Sequence, residues 1–528
     1  MQTSGDLLWR LVLLHFVSGQ TKSRPPHIIL VVADDMGWND ISWNNEKMHT
    51  PNLQALAQEG VILDQHYVLP TCTPTRAALL TGRYPYKLGI QGHGIRPLEP
   101  YGLPLGMTTL AEELKRRDYT THAFGKCVQV SVIDAYFQEN RWHLGYCDWT
   151  LTPTRRGFDS FRGYYLGSQD YFTHMTSGGR TSPEIEGYDY RNYESVDESA
   201  RGIYSTTLIT QNVLDTIEEK SKKNGPVFLY VAFQAVHAPL QVPDDYRTKC
   251  SSYTKKRLKI CEMAAAMDDS VGLIVEKLKK VEMWNNSLFV FMSDNGGQVL
   301  YGGSNWPLRG NKNTLYEGGT RVPAIVAGPV LQSTGYTSSS VMHAVDWFPT
   351  LLSATGVKST WADIDGVDHW PIIRDGTGDA PRSGFIYNLD RREKKLVGAI
   401  RDGDLKLIMR PSKTFGKWYA ESEEETESAE SVDNSQISVL YNITADPYEK
   451  DDLFTKLRSE ARRLSNTLRD QAHLMVPSPS LEDEAEGYPS KLDPAGAYGP
   501  GWCKAPTWKQ SEPEEPVLND EEYMADYY

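Results

Sequence analysis

The sequence has little cysteine, less positive than negative charge, and no long apolar segment beyond its first twenty residues. Six cysteines among 528 residues exclude a small domain built around disulfides. The 55 lysines and arginines are outnumbered by 69 aspartates and glutamates, and the formal charge of −14 argues against a general nucleic-acid binder. No later segment predicts a membrane span. With 40% apolar residues, the chain can form a large hydrophobic core.

The N-terminus has the pattern of a secretory signal peptide, which we assign to residues 1–20. An apolar stretch from Leu7 to Val17 ends in Ser18-Gly19 and is short for a membrane helix. A buried first helix is the alternative. Sequons at Asn285 and Asn442 predict glycosylation and weakly support export. We therefore expect a protein of the secretory pathway, located in the lysosome or outside the cell.

Apolar runs with few polar interruptions predict strands that are covered on both faces. The runs lie at 27–33, 227–233, 288–293 and 323–327. Helical patterns lie at 109–117, 205–222, 255–280 and 341–354. Because strands alternate with helices, the sequence predicts an α/β domain with a mainly parallel sheet flanked by helices, over residues 25–375.

The pattern changes beyond residue 375. Runs at 384–389 and 396–409 predict antiparallel strands, and a helix is expected at 457–474. The segment 421–436 is acidic and polar, which indicates a solvated loop. We expect a smaller C-terminal α+β domain over 376–528, with an antiparallel sheet and an acidic tail that wraps over the surface.

Polar residues follow two of the predicted strands directly. Asp34-Asp35 come after the first strand, and Asp294-Asn295 come after the run at 288–293. In an open α/β sheet, ligands bind beyond the carboxyl ends of the strands. Three carboxylates brought together there would repel one another unless a cation neutralised them, and oxygen ligands suit Ca²⁺ or Mg²⁺. The alternative, for either pair alone, is a cap of the following helix or turn.

The segment CTPTRAALLTGR, which begins at Cys72, predicts a helix whose N-terminus carries that cysteine. Pro74 suits the first turn and Gly82 ends the helix, so Cys72 would lie at the positive end of the helix dipole. The usual alternative for a single cysteine is a buried structural role. However, the segment has the C-x-P-x-R pattern in which sulfatases have their cysteine oxidised to formylglycine.

From PHIILVVADDMGWND to LYNITADPYEKDDL the chain resembles the type I, formylglycine-dependent sulfatases. TPTRRGFDSFRGYYLGSQDYF, AVHAPLQVP, SDNGG and NWPLRGNKNTLYEGG are most similar to the arylsulfatase B group of that family. The resemblance implies an alkaline-phosphatase-like fold with a large mixed, mainly parallel sheet. It also implies a sulfuric ester hydrolase with Ca²⁺, whose Cys72 is converted to formylglycine by the formylglycine-generating enzyme.

The resemblance further implies roles for the residues at matching positions. Ca²⁺ would be bound by Asp34, Asp35, Asp294, Asn295 and an oxygen of the modified Cys72. The catalytic groups would be Cys72, Arg76, Lys126, His143, His237 and Lys312. Among these, Arg76 and Lys126 would position the formylglycine hydrate, and His143 would act on its second hydroxyl. Lys126, His237 and Lys312 would bind the substrate.

One departure from the family concerns Lys126 and His143. Sulfatases of this group carry both in one string, G-K-W-H-L-G, whereas here the 15 residues 127–141 separate Lys126 from Trp142-His143. Side chains at i and i+2 of a strand share a face, so the insertion breaks a spacing that aims Lys and His at one substrate. Our hypothesis is that the insertion comes from a retained intron or a variant exon, and that a protein carrying it has much reduced turnover. The alternative is a surface loop between Lys126 and Trp142.

The expected substrate is a sulfated glycan or a small aryl sulfate, with N-acetylgalactosamine-4-sulfate of dermatan or chondroitin sulfate implied by the resemblance. Two alternatives remain. A phosphoesterase on the same fold would need a Thr or Ser nucleophile, which Cys72 argues against. A glycan-binding protein would retain the fold, with catalysis impaired because the insertion splits the motif of Lys126 and His143. Cys250 with Cys261 and Cys147 with Cys503 are candidate disulfides, although spacing does not fix connectivity.

Overall fold

The computed structural model describes residues 24–92, 96–126, 145–178, 182–356, 363–392, 394–412, 414–421, 437–478 and 482–506. The predicted signal peptide, the insertion 127–141, His143 and nearly all of the acidic segment 421–436 lie outside the described residues.

The strands are numbered in chain order. They are β1 His27–Ala33, β2 Val61–Leu63, β3 His66–Tyr67, β4 Thr120–Lys126, β5 Ser160–Tyr164, β6 Met175–Ser177, β7 Glu186–Tyr188, β8 Arg191–Asn192, β9 Ser195–Val196, β10 Val227–Ala232, β11 Ser287–Ser293, β12 Ala324–Ala327, β13 Tyr336–Ser338, β14 Met342–His343, β15 Gly384–Arg392, β16 Lys395–Asp402, β17 Leu405–Met409 and β18 Ser438–Asn442.

The helices are numbered in the same way. They are α1 Pro51–Glu59, α2 Cys72–Thr81, α3 Leu110–Lys115, α4 Ser205–Ser221, α5 Lys255–Lys280, α6 Glu317–Thr320, α7 Trp347–Ala354, α8 Trp370–Asp375, α9 Arg458–Ala472 and α10 Pro489–Leu492. Among the described residues, none of these helices combines the length and hydrophobicity that crossing a bilayer requires.

Ten strands form the large sheet, in the order β13-β2-β12-β11-β1-β10-β4-β5-β8-β9. The central strands β11, β1, β10, β4 and β5 are parallel to one another. Strands β12 and β8 run antiparallel to β11 and β5. The sheet is therefore mixed and mainly parallel, and the carboxyl ends of its central strands meet at one edge.

Helices cover both faces of this sheet, as the apolar strands require. Ile29 and Val31 of β1 pack on one face with residues of α4 and α5. Ile28, Leu30 and Val32 pack on the opposite face with residues of α2, α3 and α7. Successive side chains of a strand point to opposite faces of the sheet. A strand that is buried on both faces therefore has apolar residues at nearly every position.

A second sheet, β15-β16-β17-β18, is antiparallel throughout. Its residues Phe385, Tyr387 and Leu407 belong to the same core as Tyr67 and Tyr316 of the catalytic region. Helix α9 packs on this sheet through buried Leu464 and Leu468. The predicted fold class, an α/β unit with a smaller C-terminal antiparallel sheet, is confirmed, while the exact domain boundaries stay a prediction.

Three local expectations were incomplete. The predicted helix at 341–354 begins only at Trp347, because β14 precedes it and His343 and Asp346 cap the intervening turn. The predicted strand at 323–327 runs antiparallel to β11, since the chain between them stays at one edge of the sheet instead of crossing over. Strand β18 was not predicted, because the acidic segment separates its short apolar run from the other strands.

Candidate active site

The predicted site residues converge at the carboxyl edge of the parallel strands. Asp34 directly follows β1, Asp294 directly follows β11, and Lys126 is the last residue of β4. His237 lies in the loop after β10. Four neighbouring strands therefore deliver charged or polar side chains to one place, as the open-sheet rule predicts.

Asp34, Asp35, Cys72 and Asp294 form a buried group that could hold a metal ion, with ligand atoms all within 4.8 Å of one another. Asn295 adds an amide: its Nδ2 donates to Asp35 Oδ1 at 2.7 Å, while its Oδ1 is buried without a hydrogen-bond partner. An unpartnered buried oxygen beside three carboxylates is costly unless something binds there. Because all the donors other than the thiol are oxygens, the set fits a hard cation such as Ca²⁺.

Cys72 is the first residue of α2 and is 1% exposed. Its Sγ lies 3.8 Å from Asp34 Oδ1, and it is the free cysteine of the described residues. Burial, together with Asp294 and Asp35, raises the pKa of the Cys72 thiol well above its usual range, despite Lys312 and Arg76. An unmodified Cys72 is therefore a protonated thiol, which is a poor nucleophile.

Three buried cations surround the carboxylates. Arg76 donates to Asp294 Oδ2 from Nε at 3.0 Å and from Nη2 at 2.7 Å. Lys126 forms an ion pair with Asp34, and Lys312 Nζ lies 2.6 Å from Asp35 Oδ1. These three cations offset the three carboxylates, so a bound metal ion would supply the net positive charge that an anionic substrate requires.

The surroundings shift the protonation of these groups in different directions. Burial lowers the pKa of Lys126 well below its usual range. Burial also opposes the charge of Lys312, but the neighbouring Asp35 outweighs it and raises the pKa of Lys312. Burial, with Lys312 and Lys126, lowers the pKa of His237, whose Nδ1 lies 2.6 Å from the carbonyl oxygen of Ala238. Because a carbonyl only accepts, this Nδ1 carries the proton.

The structure thus brings together most of the predicted site. The converging residues are Asp34, Asp35, Cys72, Arg76, Lys126, His237, Asp294, Asn295 and Lys312. The predicted residue His143 lies outside the described residues. Sequence analysis missed Tyr230, whose hydroxyl accepts a hydrogen bond from Arg76 Nη1 at 3.0 Å. Its position in the apolar run of β10 predicted only a residue of the hydrophobic core.

The remaining predicted residues lie away from this edge. Disulfides join Cys147 to Cys503 and Cys250 to Cys261. Asn285 is exposed. Asn442 is half-buried, and its Oδ1 accepts from the backbone N–H of Ala445. Glycosylation of both asparagines stays a prediction.

Comparisons with known proteins agree with this geometry. The sulfatase family profile matches residues 26–357. The chain is 35% identical to arylsulfatase J of Mus musculus over 513 residues, which is 92% of this chain and 82% of that protein. It is 33% identical to N-acetylgalactosamine-6-sulfatase of Mus musculus over 371 residues, 67% of each protein. These relatives support the family and not the arylsulfatase B group in particular.

A solved structure, Ps i-CgsB in complex with k-i-k-neocarrahexaose, superposes with a TM-score of 0.72 at 28% identity. The likeness covers 88% of this chain and 96% of the other. The profile spans well over half of the sequence and ends before the antiparallel sheet, while the arylsulfatase J alignment continues through it. Fold, site and relatives agree, and the chain belongs to the sulfatase family and is a sulfuric ester hydrolase.

Proposed function

We propose that this sulfatase hydrolyses sulfate monoesters with a formylglycine made from Cys72 and a Ca²⁺ ion. The observation that supports this most is the position of Cys72 at the start of α2, 3.8 Å from Asp34 and within reach of Asp35 and Asp294. Three neighbouring carboxylates do nothing for a structural cysteine except raise the pKa of its thiol. For a cysteine that is converted to an oxygen nucleophile, the same carboxylates can bind a metal ion beside that oxygen.

The metal would be held by Asp34, Asp35, Asp294 and Asn295, with an oxygen on the modified Cys72 completing the ligand set; the convergence of these side chains supports this proposal. When bound, Ca²⁺ would supply positive charge beside the sulfate, and formylglycine would supply the attacking oxygen and a second oxygen through which sulfate is released. The ion pair between Arg76 and Asp294 fixes the guanidinium beside the first turn of α2. Arg76 can then orient groups on residue 72.

Lys126, Lys312 and His237 define the substrate side of the site. A sulfate monoester is an anion, and the two ammonium groups lower the repulsion that a nucleophile meets on approaching it. Lys312 or His237 would stabilise the oxygen of the departing alcohol as charge develops there. The role proposed for His143, removal of a proton so that sulfate is released, depends on residues that the structure does not describe.

For the substrate we propose sulfated N-acetylgalactosamine, as the 4-sulfate at the ends of dermatan or chondroitin sulfate chains. The segments similar to the arylsulfatase B group support the 4-sulfate. The relative named N-acetylgalactosamine-6-sulfatase supports the same sugar with a different linkage. Sulfate release from matched 4-sulfated and 6-sulfated sugars, beside an aryl sulfate, separates the two. Faster release from the 6-sulfate would overturn the proposed linkage.

We further propose that the protein matures in the secretory pathway and is lysosomal or extracellular. Two disulfides and an exposed sequon at Asn285 suit an oxidising compartment. That route would bring the chain to the formylglycine-generating enzyme. The compartment can be checked by immunofluorescence and by glycosidase sensitivity of the secreted and cellular forms.

The deciding experiment is mass spectrometry of the Cys72 peptide from protein secreted by animal cells, combined with release of sulfate from 4-methylumbelliferyl sulfate. Conversion of Cys72 with turnover is the expected result. Conversion without turnover would favour the glycan-binding alternative. An intact thiol in an active protein would contradict the proposed nucleophile.

A further inference from the structure

Glu317, Lys406 and Glu449 form a completely buried charged group, here called the Lys406 cluster, where the second sheet meets the catalytic region. Lys406 Nζ of β17 lies 2.8 Å from Glu317 Oε1 of α6 and 2.9 Å from Glu449 Oε1. The backbone N–H of Glu317 donates to Glu449 Oε2 at 2.8 Å, and Tyr387 of β15 donates to Glu317 Oε1 at 3.1 Å. The second sheet binds the side chain of Glu317, and the loop after β18 binds its backbone N–H through Glu449.

Arg309 makes a matching attachment eight residues earlier. Its Nε donates to the carbonyl oxygen of Gly416 at 2.8 Å, and its Nη1 donates to the Tyr441 hydroxyl at 2.8 Å. The guanidinium also lies 4.1 Å from the ring centroids of Tyr316 and Trp418. The segment 309–321 is therefore held by the second sheet at two points, and Lys312 lies between them.

The same segment contacts the chain that leads into Cys72. Tyr67 donates its hydroxyl to Glu317 Oε2 at 2.8 Å, and the backbone N–H of Val68 donates to the carbonyl oxygen of Thr320 at 2.8 Å. Asn313 donates its backbone N–H to the carbonyl oxygen of Pro70 at 2.8 Å. Glu317 therefore lies where the chain segment that carries Lys312 contacts the chain segment that leads into Cys72.

We propose that Glu317, Lys406 and Glu449 are positioning residues, through which the second sheet sets Lys312 at its working distance from Cys72. None of the three belongs to the group of residues around the metal site, so they act through Lys312 and the segment before Cys72. The inference rests on the proposed function, since it matters to turnover only if Lys312 acts on the sulfate ester.

The charged side chains of the Lys406 cluster satisfy one another, which favours a structural role for the cluster over a ligand-binding role. Burial acts to raise the pKa of Glu317, but Lys406 and Arg321 outweigh it and hold that pKa below its usual range. Burial, and the neighbouring Glu317, raise the pKa of Glu449 to about 7 against the effect of Lys406. Arg401 is the other cation near Glu317, and Tyr387 is a further neighbour of both carboxylates. One carboxylate is therefore charged against Lys406 while the other readily takes a proton.

The test compares aryl sulfates that differ only in the stability of the departing phenolate. If Lys312 is the group that stabilises the charge on the leaving oxygen, its misplacement should lower kcat/KM more with phenyl sulfate than with 4-nitrophenyl sulfate. We expect Glu317→Ala to lower kcat/KM for phenyl sulfate about 100-fold, the scale of a 1 Å misplacement. For 4-nitrophenyl sulfate the loss should be smaller. All rates are divided by the formylglycine content from mass spectrometry.

Two further variants separate positioning from loss of stability. Glu317→Gln keeps the shape and oxygen acceptor, and should recover about tenfold over the alanine variant, the worth of one or two hydrogen bonds. Asp268→Ala is the matched control, because Asp268 is buried and accepts from the backbone of Asn52 and Leu53 far from segment 309–321. It should lower Tm and leave the ratio of the two substrates unchanged.

Equal losses for both substrates in Glu317→Ala, or an unchanged kcat/KM, would overturn the inference. If that variant does not fold, Arg309→Lys tests the other attachment, and an unchanged substrate ratio there would overturn it equally. Lys312→Ala must show the larger loss for phenyl sulfate. If it does not, or if the wild type lacks turnover, the proposed function fails first and the positioning role fails with it.

Discussion

Two buried groups of charges each include a residue of segment 309–321, and they differ in how their polar atoms are satisfied. At the strand ends, Asp34, Asp35 and Asp294 face three cations, yet Asn295 Oδ1 is left without a partner. In the Lys406 cluster, the charged side chains contact one another, and they join helix α6 to β17 and to the loop after β18. Buried charges are costly in both places. The first arrangement makes sense if it receives a ligand, and the second if it holds two parts of the molecule together.

The largest effect that would sharpen this contrast is loss of the nucleophile. Cys72→Ala should lower sulfate release about 10⁶-fold, the scale on which enzymes lose activity with their nucleophile. Tm should change little, because the side chain is small and no disulfide is lost. The measurement is turnover of 4-methylumbelliferyl sulfate, with differential scanning calorimetry as the control for folding. Retained turnover would remove Cys72 from the mechanism.

Removing the metal should affect the strand-end group and spare the Lys406 cluster. Dialysis against a chelator should reduce turnover about 10³-fold, which corresponds to the several kcal/mol that a metal ion contributes to such a transition state. Added Ca²⁺ should restore turnover and raise Tm of the wild type. In Asp35→Ala the rise in Tm should disappear, whereas in Glu449→Gln it should persist. A chelator-insensitive enzyme would contradict the proposed cofactor.

Deleting residues 127–141 tests whether the insertion lowers turnover by displacing Lys126 relative to His143. The deletion restores the G-K-W-H-L-G string, in which Lys126 and His143 share one face of a strand. We expect turnover to rise about 100-fold, the cost of a misplaced catalytic group. A variant with a Gly/Ser segment of equal length in place of the insertion is the matched control and should gain nothing. Equal turnover before and after deletion would show that the insertion is harmless.

The smallest expected effect concerns stability and pH at the Lys406 cluster. The folded pKa of Glu449, about 7, is raised above its ordinary value of 4.5. Its contribution is therefore fully present below pH 4.5 and is lost as pH rises through about 7, by up to about 3 kcal/mol. Glu449→Gln removes this loss. The Tm difference between Glu449→Gln and wild type should be more positive at pH 7.5 than at pH 5.

Other buried groups also make stability depend on pH in this range, because their folded pKa values differ from the ordinary ones, so the wild-type profile alone does not isolate Glu449. Asp189 has a pKa raised to about 7 by burial, and burial lowers the pKa of His66 and His343 to about 3. Asp189→Asn is the matched control and should show a separate, additive change. A Tm difference for Glu449→Gln that is the same at both pH values would contradict the charge assignment.

Much of the candidate metal site could be predicted, because its residues belong to recognisable local sequence patterns. Asp34-Asp35 and Asp294-Asn295 each follow an apolar strand directly, and the CTPTR string identifies Cys72 without any knowledge of contacts. The bounds of α5 were also predicted correctly, since its apolar period extends over many turns. Short elements were predicted less well: β14 has only two residues, too few for a periodic pattern.

The sequence by itself determined where the proposed chemistry lies: a candidate nucleophile at a helix start, candidate oxygen ligands after strands, and cations in strings that the family shares. Only the tertiary structure decided which groups support that chemistry. Tyr230 has the pattern of a core residue until Arg76 donates to it, and Glu317 meets Lys406 across 89 residues and Glu449 across 132. Such contacts have no local pattern, because folding alone brings these distant parts of the chain to one place.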